Sequence, residues 1–233
     1  AMKKKKILLV LVPVLLLGAI LYNCSNSNNA GNFSDAASKV YVAPGTHDEF
    51  YAFMSGGFSG QVSVYGLPSG RLFKVISVFS QNPETGYGYS EETKPMLNTS
   101  FGFVPWADAH HPVLSKTNGE QDGKWLFING NNTPRVARID LTTFETVETL
   151  EIPNSAGNHG SPFVTENTEY VVASTRFSVP VPQKDVPISS YKENFKGTIS
   201  YVKVDKNSGD MSLSFQIIVP GFNYDLSHSG KGP

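Results

Sequence analysis

The chain has one cysteine in 233 residues, Cys24, which excludes an internal disulfide framework and any cysteine-only metal cage. It has no excess of either charge: 19 Lys and Arg face 20 Asp and Glu, a formal net charge of −1. With no basic run after residue 6, that balance supplies no electrostatic drive toward nucleic acid. After residue 40 no helical periodicity of useful length appears. Plentiful instead are Phe (15), Tyr (10), Gly (21) and Pro (15), the stock of short strands and tight turns.

The first 24 residues are a different polymer. "MKKKK" is followed by "ILLVLVPVLLLGAILY", an uncharged run of 16 residues broken by Pro13. A spanning helix needs about 20 apolar residues, about 17 at the short end. The run therefore reads as an export signal and not as an anchor, of the Sec type because no twin-arginine pair is present. Cys24 ends it where a bacterial lipoprotein cysteine would be lipidated, although Tyr22 and Asn23 are bulkier than the residues usual there. Residues 25–40 read as a flexible linker, and residues 41–233 as the globular region, exported to the periplasm or cell envelope.

Across the globular region a single motif recurs: an aromatic start, an alternating middle strand, a turn and a further strand. The copies begin at Tyr51, Trp125 and Tyr170, with middle strands "QVSVY", "RVARID" and "TISYVKVD". The turn signals "LPSG", "LTTF" and "KNSG" follow them at nearly the same place. Two long excursions interrupt the pattern, at 81–107 and 176–196. Such a repeat predicts an all-β fold, a β-propeller of about four blades that is part of a larger ring, over a β-sandwich with coincidental turn spacing.

The histidines fall at one repeat position. His110 and His111 stand ahead of the second copy and His159 ahead of the third. A histidine pair alone is more often a satisfied loop feature than a ligand set. Here the register sends all three toward the innermost strands, which line a propeller's channel. Converging imidazoles cannot all be protonated cheaply, and neutral imidazole binds Zn, Cu, Fe and Ni. A metal site is therefore expected over a water-filled channel, with Asp108 placed to hold a ligand's second ring nitrogen. His47 and His228 show no such register and read as solvated loop residues.

With "FYAFMSGGFSGQVSVYG", "TGYGYSEETK", "DAHHP", "GKWLFINGNNTPRVARI", "NHG" and "VPGFNYDL", the sequence resembles nitrous-oxide reductase from about Asp48 onward. The resemblance implies a homodimer of a seven-bladed propeller with a C-terminal cupredoxin domain, reducing nitrous oxide to dinitrogen and water. It implies that His110, His111 and His159 match three of the seven histidines holding a sulfide-bridged four-copper cluster, CuZ. Asp108 matches an acidic residue beside that cluster, a candidate for proton delivery. Electrons would come from the CuA copper centre of the partner subunit, supplied by a periplasmic c-type cytochrome or cupredoxin. No later histidine matches the other ligands, and the paired cysteines of the cupredoxin domain are missing. The expectation is thus an N-terminal fragment that alone neither assembles the cluster nor turns over. The rival is an exported propeller that binds a protein or glycan without catalytic metal. A quinoprotein-like oxidase would need cofactor-clamping residues that the sequence lacks.

Overall fold

The computed structural model of the protein describes residues 36–82, 88–159 and 162–221. The leader, Cys24 and His228 lie outside the described residues. Among those described, no helix is long and apolar enough to cross a membrane. Two units are distinguished, residues 36–49 with 67–70 and residues 50–66 with 71–221. In the first, the Asp48 carboxylate accepts from the Ser69 N–H at 2.8 Å and from its hydroxyl at 2.9 Å. His47, just before it, is exposed, in keeping with a solvated loop residue.

The second unit is built from strands. β1 (Phe50–Ser55), β2 (Gln61–Leu67) and β3 (Leu72–Ser77) form a meander in that order. The excursion that follows carries a short hairpin, β4 (Asn98–Thr99) with β5 (Gly102–Phe103). A four-stranded sheet comes next, β6 (Ala109–Thr117), β7 (Glu120–Gly130), β8 (Arg135–Asp140) and β9 (Glu145–Glu151). The third sheet has the order β10 (Phe163–Val164), β11 (Tyr170–Ser174), then β14 (Thr198–Val204) and β15 (Met211–Ile218). Its insertion contributes a separate pair, β12 (Val179–Pro180) with β13 (Phe195–Lys196). The pairings within the second and third sheets, and those of β2 with β3, β4 with β5 and β12 with β13, are antiparallel.

The three middle strands of the repeat are β2, β8 and β14, each between the strands its motif assigns to it. Successive side chains of a strand point to opposite faces, and in the central sheet both faces are used. Leu126 and Ile128 of β7, with Ala137 and Ile139 of β8, pack against Val62, Val64 and Ile76 of the first sheet. Phe127 and Val136 point the other way, onto Val171, Ala173, Val202 and Val204 of the third. A sheet buried on both faces between two others is a propeller blade and not half of a sandwich. The fold is all-β and propeller-type. Length alone allows about four blades over 41–233; the described residues build three, because the excursions take up chain.

The excursions serve neighbouring sheets. The first buries Leu97 and receives the Thr149 hydroxyl of β9 on the Met96 carbonyl at 2.9 Å. In β14 the buried phase is Thr198, Ser200, Val202 and Val204. Ile199 and Tyr201 take the opposite face, where Tyr201 stacks on Phe215 with centroids 4.5 Å apart.

Candidate metal centre

The site begins with an interruption of the β6–β7 ladder. His110 pairs with Asn129, yet the next pairs are Val113 with Phe127 and Leu114 with Leu126. Three steps on β6 thus match two on β7, a bulge that leaves one residue extra. His111 takes the strain, with φ of 56°, in the left-handed region where a Cβ is disfavoured. In a regular strand neighbours such as His110 and His111 would point to opposite faces. The bulge turns both rings to one side, their centroids 5.3 Å apart.

His159 reaches the same place from the third sheet. It stands ahead of β10, in the loop, and not inside the innermost strand as the register suggested. An isolated bridge between Asn158 and Thr175 holds its neighbour against the sheet. The Asn158 N–H donates to the Gly130 carbonyl at 3.0 Å, and the Asn129 side chain donates to the Asn158 carbonyl at 2.9 Å. These bonds bind the loop of the third sheet to the end of β7. Gly157 is dictated by that approach, since a Cβ there would overlap the Asn131 carbonyl. The His159 ring lies 5.1 Å from that of His110 and 4.7 Å from that of His111. The Nε2 atoms of His111 and His159 are 3.2 Å apart. All three predicted histidines converge.

Asp108 closes the cluster from behind. It is fully buried, and its Oδ1 lies 2.7 Å from His110 Nδ1. The approach is a close contact without regular hydrogen-bond geometry, and neither atom has another hydrogen-bond partner among the described residues. The other oxygen, Oδ2, accepts from the Asn131 amide at 2.6 Å. The backbone of Asp108 is clamped as well: its N–H donates to Asn132 Oδ1 at 2.9 Å, and its carbonyl accepts from the Asn131 N–H at 2.8 Å. Arg176 completes the line, donating to Asn131 Oδ1 at 2.5 Å. Partial burial and then the neighbouring His110 hold the His111 imidazole below its ordinary pKa, with Asp108 pulling the other way. The neutral ring, with one bare nitrogen, is thereby favoured.

Asn131, Asn132 and Arg176 were not legible as site residues. The signal for the two asparagines was present in "NGNN", four polar or backbone-permissive residues directly after the apolar run "WLFI". Arg176 is the first residue of the second excursion, so that insertion begins inside the site.

The donor chemistry suits a borderline or soft metal: three imidazoles, one with a carboxylate 2.7 Å from its second nitrogen. Among the described residues, however, no group of three or more His, Cys, Asp or Glu side chains is arranged to hold a single metal ion. The cluster is a converging face.

The strain at His111 leads to a test. His111→Gly is expected to stay within about 1 kcal/mol of the parent in denaturant unfolding, because glycine enters the left-handed region freely. His111→Val should be about 1–2 kcal/mol less stable than His111→Gly, the cost of a Cβ there. Equal stability of the two variants would mean that the ring and not the backbone sets the conformation.

No protein-family model matches the sequence. The chain is 36% identical over 225 residues to the nitrous-oxide reductase of Pseudomonas fluorescens, covering 95% of this chain and 34% of that protein. It is 35% identical over 200 residues to the nitrous-oxide reductase of Stutzerimonas stutzeri, covering 84% and 31%. It thus spans about a third of the length of the curated relatives it matches. Among solved structures it is similar to the dihydro-heme d1 dehydrogenase NirN, with a TM-score of 0.41 and 12% identity over 77% of this chain and 30% of that one.

Proposed function

We infer that this chain belongs to the nitrous-oxide reductase family, and we propose that its three-histidine face is one side of a copper site that reduces nitrous oxide. The convergence of His110, His111 and His159 from two blades carries this reading. In a polynuclear centre neighbouring imidazoles serve different metals, and other ligands complete the set. By family likeness that centre is CuZ, fed by a CuA centre, in an exported homodimer that takes electrons from a cytochrome or cupredoxin. The reaction consumes two electrons and two protons per nitrous oxide and yields dinitrogen and water.

When bound, copper supplies the electrons and the Lewis-acid edge that a weak, neutral ligand such as nitrous oxide needs. The residues of this chain hold and orient. His111 and His159 present Nε2 toward each other, and His110 turns its Nδ1 to Asp108, which leaves Nε2 as its other ring nitrogen. Asp108 Oδ2 accepts from Asn131, and Oδ1 stands 2.7 Å from His110 Nδ1. Its first role is thus orientation, and proton delivery would require one of those contacts to open. Asn129 fixes the His159 loop on the strand that faces the histidine pair.

The test is copper analysis and a nitrous-oxide reduction assay on the natural protein that carries this chain, with each histidine replaced by alanine. The parent should hold copper and reduce nitrous oxide. Each replacement should lower both by about 100-fold or more, since even the outer partners of metal ligands are worth 10–100-fold. A parent without copper that binds a protein or glycan would establish the rival reading.

A further inference from the structure

The geometry points to Arg176 as a positioning residue: acting through Asn131, it orients the Asp108 carboxylate and so selects which nitrogen of His110 faces the histidine cluster. The inference deepens the copper-site reading but concerns only side chains that the chain itself provides.

It rests on the order of groups in one partly buried line. The Arg176 guanidinium donates to Asn131 Oδ1 at 2.5 Å, the Asn131 amide donates to Asp108 Oδ2 at 2.6 Å, and Asp108 Oδ1 lies 2.7 Å from His110 Nδ1. Arginine has only donors and an ionised carboxylate only acceptors, whereas a carboxamide has one face of each. Asn131 therefore fits between them in a single sense. Flipping the amide would set its NH₂ against the guanidinium and its oxygen against the carboxylate. Arg176 forbids the flip from one side, Asp108 from the other. Asn131 is itself nearly fully buried, so water does not offer an easy substitute.

The consequence falls on His110. A carboxylate oxygen 2.7 Å from Nδ1 favours the proton on that nitrogen, since two lone pairs at that distance would repel, and it leaves Nε2 bare. A free neutral imidazole in water favours the opposite tautomer, with the proton on Nε2. Without a fixed carboxylate the nitrogen offered to the cavity would be partly blocked by a hydrogen. Arg176 also ties this setting to the third sheet: it stands two residues after β11, and its backbone N–H donates to the Gly157 carbonyl at 2.7 Å, two residues before His159. The residue that fixes the His110 tautomer thus belongs to the segment that carries the third ring.

The experiment uses the full chain free of metal, labelled with ¹⁵N at its five histidines, and reads the ring nitrogens of His110 by long-range proton–nitrogen correlation. In the parent, His110 should show a protonated Nδ1 and a bare Nε2. Arg176→Leu and Asn131→Leu should each move the ring toward a mixture in which Nε2 carries much of the proton. Arg176→Lys, which still donates to Asn131, should restore the parent pattern, an outcome that a purely structural role would not produce. Unchanged His47 signals and unchanged far-ultraviolet circular dichroism would show that the variants are folded. A parent His110 protonated at Nε2, or folded Leu variants with an unmoved tautomer, would overturn the inference. Neither outcome depends on copper, so failure here and failure of the copper reading are separable.

Discussion

Replacing Phe127 with alanine should lower the unfolding free energy by about 3–5 kcal/mol, the usual cost of emptying a fully buried aromatic site. Domains of ordinary size have about 5–15 kcal/mol in total, so the variant would sit near the threshold of folding. Phe127 is completely buried and packs with Val136, Ile152, Val171, Ala173 and Val202 between the second and third sheets. It also pairs with Val113 of β6, the first regular position after the histidine bulge. Loss of the ring would loosen the blade that brings His159 from the blade that carries His110 and His111. Denaturant unfolding checks the first expectation, and a weakened ring contact between His111 and His159 by nuclear Overhauser effect checks the second. Phe101→Ala provides the contrast: its side chain is 65% exposed, and a change within about 0.5 kcal/mol is expected. Similar costs for the two variants would refute the view that inter-blade packing sets the site.

Much of this was legible in the sequence because its periods are simple. A strand with alternating apolar positions, closed by a Gly- or Thr-bearing turn, repeats whatever the loop lengths, so β2, β8 and β14 could be identified without coordinates. Convergence of the histidines could be read from their distance to the aromatic start of each copy, because register within a blade is fixed by burial. The means of convergence could not. Strict alternation sends His110 and His111 to opposite faces, and only a bulge with a left-handed histidine reconciles the pair. Bulges follow from tertiary packing and leave little local trace. His159 likewise owes its place to bonds from Asn129 and Gly130, residues with no apparent chemistry of their own. Arg176 looked like the start of a surface insertion, since its partner lies 45 residues earlier in the chain.

Removing the Asp108 carboxylate should be the most damaging change at the site that leaves all three histidines in place. In Asp108→Ala the Asn131 amide loses its acceptor and His110 Nδ1 the carboxylate 2.7 Å away, inside a region with no exposure at position 108. Each buried polar group left unsatisfied costs about 1–3 kcal/mol. The loss of stability should therefore reach a few kcal/mol, although the substitution removes only a small side chain. Copper retention in the protein that carries this chain should fall about 10–100-fold, as measured by competition with a chelator, because an outer carboxylate both orients its imidazole and raises its basicity. Asp108→Asn separates the two effects. An asparagine can still place an oxygen at His110 Nδ1, but its NH₂ then meets the Asn131 amide, donor against donor. It should recover part of the packing but little of the copper affinity. If Asp108→Asn instead holds copper as tightly as the parent, the negative charge is dispensable and position 108 matters for its shape alone.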